Sequence, residues 1–254
     1  MTFQLPNLPV TILVYALVFS RVGAMVMLLP SIGDASVPPR VRLTLALAIA
    51  FALTPALAQY YPATIPNDFI GLGVLLTRET ICGLAIGGAA RIVMAALQVG
   101  GNLIATQTGL AYAQTIDPTQ NQAGALVGNF FSLLGATLIF ATDLHHLAIE
   151  AIQGSYRMLP PTGDLPTSDM AELALRLVSG TFLLGVELAA PFLVFGFVVT
   201  AAIGLLARLM PQFQVFFIVT PINIMVGFLL IMLLLGTLMT VFLNYYTAQM
   251  TAFL

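Results

Sequence analysis

The chain has 254 residues, of which 59% are hydrophobic and only 7% are charged, and its net charge is −2. A soluble domain carries about 25% charged residues, so water is not the main solvent of this chain, whose mean hydropathy is +1.02. The negative net charge also argues against a protein that holds nucleic acid through phosphate contacts.

Six apolar segments predict an all-α, multi-helix integral membrane protein, since about 20 apolar residues cross a bilayer as a helix. Two segments are much longer than one span needs and contain a proline, so we expect long, kinked helices arranged in hairpins. No break between segments is long enough to bury a core, and we expect one helical membrane domain over residues 1–254 without a soluble domain. The segments are Pro9–Leu29, Val41–Gln59, Phe69–Val99, Ala123–Thr142, Met170–Ala207 and Val215–Tyr246.

The third segment contains a stripe of four residues spaced by four, Glu79, Gly83, Gly87 and Arg91. This spacing predicts one face of a helix, and the two glycines would let a neighbouring backbone approach closely. Glu79 and Arg91 lie about 18 Å apart along the axis at 1.5 Å per residue, so each needs a partner elsewhere. The stripe indicates a tight helix–helix or subunit seam, or else a chance GxxxG in a glycine-rich helix.

The stretch between the third and fourth segments, Gly100–Leu126, is rich in amides and carries one charge, Asp117. Irregular backbone at membrane depth is tolerated where protein covers it or where it lines a water-filled cavity. Uncharged amides can satisfy backbone groups without the cost of burying an ion. The stretch therefore predicts a re-entrant or plugging loop, with a plain connecting loop as the alternative.

The next break contains the amphipathic sequence DLHHLAIEAIQGSYR. Asp143, His146 and Glu150 fall on its polar face and could in principle ligate a metal. Only one such set is present, whereas di-metal helix bundles need matching sets on other helices. We favour a helix whose polar face is solvated, and we expect no metal and no cofactor.

The fifth segment places Glu187 four residues before Pro191. A proline inside a helix removes the hydrogen bond to the carbonyl four residues earlier, so a free carbonyl and a carboxylate would coincide. This pattern predicts a kinked helix lining an interface or channel, or a kink satisfied inside the chain. Arg208 and Pro211, in the break that follows, complete the residues expected at helix or subunit contacts.

Enzymatic motifs are missing from the sequence. It contains no HExxH, no GxSxG and no P-loop, the local signatures of metalloproteases, α/β-hydrolases and nucleotide-binding sites. We therefore expect a protein that is not an enzyme.

Three stretches follow one another in the chain: RETICGLAIGGAARIVMAALQVGGNLIATQTGLAYAQTIDP, FFSLLGATLIFATDLHHLAIEAIQGSYRMLP and ELAAPFLVFGFVVTAAIGLLARLMPQFQVFFIVTPINIMVGFLL. In order and length they resemble the flagellar biosynthetic protein FliR family over nearly the whole chain. The sequence departs from the family pattern at Gln214, Thr220 and Asn223.

The resemblance implies a channel-forming subunit of the flagellar type III protein export gate, a multi-pass protein of the bacterial inner membrane and flagellar basal body. It implies FliP, FliQ, FlhB and FlhA as partners and unfolded flagellar proteins as export substrates. It also implies that a loop at about Thr106–Gln122 plugs the closed pore. The residues expected to form or shape this plug are Gly100, Gly101, Thr106, Gln107, Gly109, Gln114, Asp117, Pro118 and Gln122.

Two other functions remain open on the sequence. The equivalent subunit of a virulence-type injectisome would look almost the same. A small-solute secondary transporter also uses broken helices near the membrane midplane, but no internal repeat relates the two halves of this chain and few charges could couple to ions.

Overall fold

The computed structural model describes residues 10–34, 36–62, 69–111, 125–163, 167–210 and 215–254. These ranges contain seven α-helices and the 3₁₀ turn Ala58–Tyr60, and no strand. The prediction of an all-α fold is confirmed. The helices are α1 Val10–Leu28, α2 Pro39–Leu57, α3 Phe69–Gln107, α4 Ala125–Ala141, α5 His145–Met158, α6 Thr167–Leu209 and α7 Val215–Thr251.

Within these ranges, five helices are long and apolar enough to cross a membrane: α1, α2, α3, α6 and α7. Helices α4 and α5 meet at a bend of 74° and would together make a sixth span. Large apolar side chains face outward, and Phe51 and Phe197 are each 75% exposed. Apolar surface of this extent marks contact with lipid or protein rather than with water.

The third helix is longer than the sequence indicated, which corrects the boundary placed at Val99. Helix α3 continues to Gln107, so Gly100 and Gly101 are helical and do not belong to a loop. A helix satisfies its own backbone hydrogen bonds, so this part of the chain can stay helical at membrane depth without help from side-chain amides. Helix α4 then starts at Ala125, and residues 112–124 lie outside the described ranges.

The chain divides into two compact units. The first consists of Met1–Val93, Ile139–Leu177 and Tyr246–Leu254. Its core is built on α1, which buries Leu17, Val18 and Met25 together with Arg21.

The second unit consists of Met94–Leu138 and Val178–Tyr245. It contains the end of α3 and most of α4, α6 and α7, and its core includes Leu97, Phe192 and Phe242. The single membrane domain expected from the sequence stays a prediction.

The glycine stripe of α3 lies against α1 of the same chain. A Cβ atom at Gly83 would lie 2.1 Å from the carbonyl oxygen of Arg21, and one at Gly87 would lie 2.7 Å from that of Met25. Both glycines are buried. These contacts are intramolecular, so this part of the seam joins two helices of one chain rather than two subunits.

Adding a methyl group to this seam should loosen the first unit. We expect Gly83→Ala to lower the stability by about 1–3 kcal/mol, the usual cost of overpacking, because the new Cβ meets backbone that cannot rotate away. Gly73→Ala is the matched control, since it lies on the same helix with nothing within 4 Å of a Cβ. Thermal unfolding in detergent measures both variants, and equal stability of the two would contradict this packing.

Candidate functional site

A buried ion pair joins α1 to α3 in the first unit. Arg21 and Glu79 are both fully buried, and Arg21 Nε donates to Glu79 Oε2 at 2.6 Å while Nη2 donates to Oε1 at 3.1 Å. This forked geometry is the strongest form of a carboxylate–guanidinium contact. Arg21 is therefore the partner that Glu79 was expected to need.

The remaining polar atoms of Arg21 contact α5 and the residues after it. Nη1 donates to Ser155 Oγ at 3.0 Å, and Nη2 also donates to the carbonyl of Leu159 at 3.0 Å. The guanidinium carbon lies 3.8 Å from the centre of the Tyr156 ring, a distance suited to a cation–π contact. One side chain of α1 thus fixes α3 and α5.

Two tyrosines extend this network. Tyr156 donates to Glu79 Oε2 at 3.4 Å, and the hydroxyls of Tyr61 and Tyr156 are 3.2 Å apart. Burial raises the pKa of the Tyr61 phenol, which keeps its proton available for this hydrogen bond. Tyr61, the residue after the 3₁₀ turn, is thus connected to the ion pair through Tyr156.

The rest of the predicted contact residues do not join this cluster. Arg91 is exposed and has no hydrogen-bond or ion-pair partner in the part of the chain that the structure describes. The four-residue spacing does not hold one face, because four residues turn a helix by about 400°, so three such steps rotate the side chain by about 120°. Glu79, Gly83 and Gly87 therefore face the neighbouring structure, whereas Arg91 has turned away from it.

On α6, Glu187, Pro191 and Arg208 are exposed. The helix runs through Pro191 without ending there, and no ion pair of Glu187 is found among the described residues. Pro211 lies outside the described ranges. The expected position of Glu187 and Pro191 at an interface or channel stays a prediction.

In the second unit, Gly100 and Gly101 are close-approach positions. A Cβ atom at Gly100 would lie 3.1 Å from the carbonyl oxygen of Gly185 on α6, and one at Gly101 would lie 2.4 Å from Cα of Gly128 on α4. The two glycines thus pack α3 against two neighbours at once. Both glycines therefore serve helix packing within α3.

The end of α3 is well defined. The backbone N–H and the Oγ1 hydroxyl of Thr108 both donate to the carbonyl of Ile104, at 2.9 and 2.8 Å. Gly109 follows with φ 79°, the left-handed conformation that commonly ends helices at a glycine. Gly109 therefore turns the chain out of the helix within the amide-rich stretch Gly100–Leu126.

Three residues of α6 and α7, Gly196, Asn223 and Gly227, receive this helix end, and we call them the α3 socket. A Cβ atom at Gly196 would lie 2.0 Å from Gln107 Oε1, and one at Gly227 would lie 2.5 Å from Cγ2 of Thr108. Asn223 Nδ2 donates to the carbonyl of Gln107 at 3.2 Å. The socket thus holds the last turn of α3 by shape and by one hydrogen bond.

A polar cavity of about 90 Å³ adjoins the socket. Asn223 Oδ1 is buried and has no hydrogen-bond partner in the described ranges, and a cavity of this size can hold water that hydrogen-bonds to it. Its lining includes Thr106, Gln107, Gly109, Gly196, Thr200 and Asn223.

Of the predicted plug residues, the structure brings Thr106, Gln107 and Gly109 to the socket and its cavity. Gln114, Asp117, Pro118 and Gln122 lie outside the described residues. Sequence reasoning missed Arg21 as a partner, although it is the only charged residue of α1. It also missed the socket, because nothing in the sequence links α6 and α7 to a helix end about 90 to 120 positions earlier.

Comparison with known proteins places the chain among bacterial export proteins. The model of the family described as "Bacterial export proteins, family 1" matches residues 12–248. The "Flagellar biosynthetic protein FliR" of Caulobacter vibrioides is 43% identical over 240 residues, which cover 94% of this chain and 95% of the relative.

More distant relatives cover most of the chain as well. The "Flagellar biosynthetic protein FliR" of Escherichia coli is 32% identical over 82% of this chain and 78% of the relative. The "Yop proteins translocation protein T" of Yersinia pestis is 26% identical over 87% of this chain and 85% of the relative.

The buried pair should be far more sensitive to mutation than an exposed pair. Glu79→Gln leaves a buried guanidinium without a counter-charge, and we expect a loss of about 3–5 kcal/mol. Glu172→Gln breaks the exposed pair with Arg176 on α6 and should change stability little. Equal unfolding temperatures of the two variants would contradict a larger contribution of the buried pair to stability. An Arg21→Met, Glu79→Leu double variant leaves no unpaired buried charge and should regain part of the lost stability.

Proposed function

The chain belongs to the FliR family of bacterial export proteins, and from this premise we propose that it is a channel-forming subunit of the flagellar type III protein export gate. In this proposal residues 110–122 plug the closed pore, and Thr106–Gly109 form the fixed root of the plug. The protein is a multi-pass membrane component of the export apparatus. We place it in the bacterial inner membrane at the flagellar basal body.

The observation that carries the proposal is the α3 socket. A plug must leave the pore and return. It therefore needs a fixed attachment next to a segment that can move between protein and water at a low cost in free energy. Gly196, Asn223 and Gly227 supply the attachment, and Gly109 redirects the chain at the point where the helix stops. The segment beyond carries amides and a single charge, so moving it between protein and water costs less than moving a set of ions.

The outward faces of α6 and α7 support assembly with other subunits. Both carry large exposed apolar side chains, such as Phe182 on α6 and Met225 on α7. An apolar groove of about 440 Å³ lies between α4 and α7, and its lining includes Phe130 and Phe228. Glu187 is also exposed on an apolar helix, and contact of its carboxylate with lipid would be unfavourable.

We therefore propose that other export proteins cover these faces. The FliP- and FliQ-type subunits would complete the channel wall, with FlhB- and FlhA-type proteins nearby and unfolded flagellar proteins as the cargo. Family membership as an export protein does not favour the small-solute transporter.

The equivalent subunit of an injectisome is the second candidate, because the Yop proteins translocation protein T is also a relative. The identities of 43% and 32% to the flagellar relatives of Caulobacter vibrioides and Escherichia coli, against 26% to the Yersinia pestis protein, favour the flagellar assignment. Restoration of motility in a flagellar export mutant lacking its own subunit would test it.

Replacing residues 112–122 by a glycine–serine linker of equal length should open the channel. The root and the helices keep their contacts, so we expect a normal yield of the export complex but increased permeability of the membrane to ions. Leakage of potassium from cells that express the complex measures this effect. Unchanged permeability with intact assembly would contradict the plug.

The socket can be tested separately with single methyl groups. Gly227→Ala places a Cβ against the stiff Thr108 side chain, so it should displace the root of the plug and increase ion leakage. Gly196→Ala should act more weakly, because it meets the flexible end of Gln107. Gly236→Ala and Gly204→Ala are the matched controls on α7 and α6, since both positions have nothing within 4 Å.

Leakage from all four glycine variants would show general damage to the complex. Leakage from none of them would contradict the role of the socket. Leakage from Gly227→Ala without leakage from Gly236→Ala is the expected result.

A further inference from the structure

The corner between α4 and α5 brings three potential metal ligands together. Asp143, His145 and His146 each offer one ligand atom, and these atoms all lie within 4.8 Å of one another. We infer that these three residues form a binding site for a divalent transition-metal ion such as Zn²⁺. The inference concerns the first unit and does not depend on the plug or its socket.

The backbone at the corner makes this grouping possible. Adjacent residues of a regular helix do not face each other, yet the rings of His145 and His146 lie 4.1 Å apart at an angle of 35°. Asp143 has φ 59°, a left-handed conformation in which Asp and Asn are enriched. The N–H of His146 donates to the carbonyl of Asp143 at 3.0 Å, so this turn sets the carboxylate beside the first turn of α5.

The donor set suits a metal that accepts nitrogen and oxygen. Two imidazoles and one carboxylate are the protein ligands of many zinc sites that leave the fourth position open. Zinc holds such ligands at about 2.0–2.1 Å in a tetrahedral arrangement, so two ligand atoms on one ion lie about 3.3 Å apart. His146 Nδ1 and Asp143 Oδ1 are 3.9 Å apart, too far for a hydrogen bond, and the three ligand atoms lie within 4.8 Å of one another, so these side chains have to move only slightly closer to hold an ion.

One ligand is held in place while the other two are accessible. The His145 ring stacks on Phe140, with centroids 5.0 Å apart and planes inclined by 20°. Its Nδ1 atom is buried and has no hydrogen-bond partner in the described ranges. The side chains of His146 and Asp143 are 62% and 79% exposed, so an ion can enter from water.

The structural set differs from the set considered on the sequence. The sequence places Asp143, His146 and Glu150 on one polar stripe and predicts a solvated face without a metal. In the structure the third residue of the set is His145 rather than Glu150. The helix starts only at His145, and its first turn follows a residue in the left-handed conformation. A bound ion would link the turn after α4 to the start of α5.

Cobalt binding tests the proposal on the full chain. The protein is purified in detergent through a tag that contains no histidine, treated with chelator, and titrated with Co²⁺ alone. We expect visible absorption bands of coordinated cobalt that saturate at one equivalent and that Zn²⁺ abolishes. Loss of an outer-shell partner costs about 10–100-fold in metal affinity, so His146→Gln and Asp143→Asn, which remove direct ligands, should each weaken binding by at least about tenfold.

Glu150→Gln is the matched control, because Glu150 is an exposed carboxylate on α5 outside the proposed set. It should bind cobalt like the unmodified protein. The absence of a stoichiometric signal would overturn the proposal, and so would binding that is the same in His146→Gln, Asp143→Asn and Glu150→Gln. Circular dichroism checks the fold of each variant, and the exposed positions of Asp143 and His146 make these two substitutions the decisive ones.

Discussion

The buried pair between Arg21 and Glu79 is the constraint on which the first unit depends. Two charges in an apolar chain are stable only when each is paired and hydrogen-bonded, which fixes where α1 crosses α3. The same crossing explains the glycine seam, because the atom nearest to a Cβ at Gly83 would be the carbonyl oxygen of Arg21 itself. The glycines bring the helices close enough for the forked contact, and Ser155 and Leu159 then satisfy the remaining donors.

In the second unit, amide side chains rather than an ion pair make polar contacts between helices. Gln98 Nε2 donates to Asn129 Oδ1 at 3.1 Å and to Ser132 Oγ at 2.9 Å, and Asn223 holds the carbonyl of Gln107. Breaking a neutral hydrogen bond costs less than separating a buried ion pair. An ion pair therefore suits a part of the molecule that stays fixed, and amides suit the part next to the segment proposed to move.

The sequence predicted most helices within a few residues, because the length of an apolar run measures a membrane helix directly. It placed the end of α3 too early, since Gly100 and Gly101 were interpreted as loop residues although they are positions of close packing. The sequence indicates that Glu79 needs a partner, but local periodicity cannot identify Arg21, which lies 58 positions away. A four-residue spacing drifts by about 40° at each step, so the predicted stripe does not hold Arg91 on the face of Glu79.

The charges of the long helices fall into two classes that indicate which faces other molecules must cover. Arg21 and Glu79 point inward and complete each other, whereas Arg91 and Glu187 point outward without an ion-pair partner among the described residues. A charge at the centre of a lipid-facing helix costs about 2.5–3.5 kcal/mol even on the most lenient scale, and no ion pair within the described residues offsets this cost for Arg91 or Glu187. Proteins that supply an opposite charge or donors at these two positions would remove it, so the outward charges favour assembly over a solitary position in lipid.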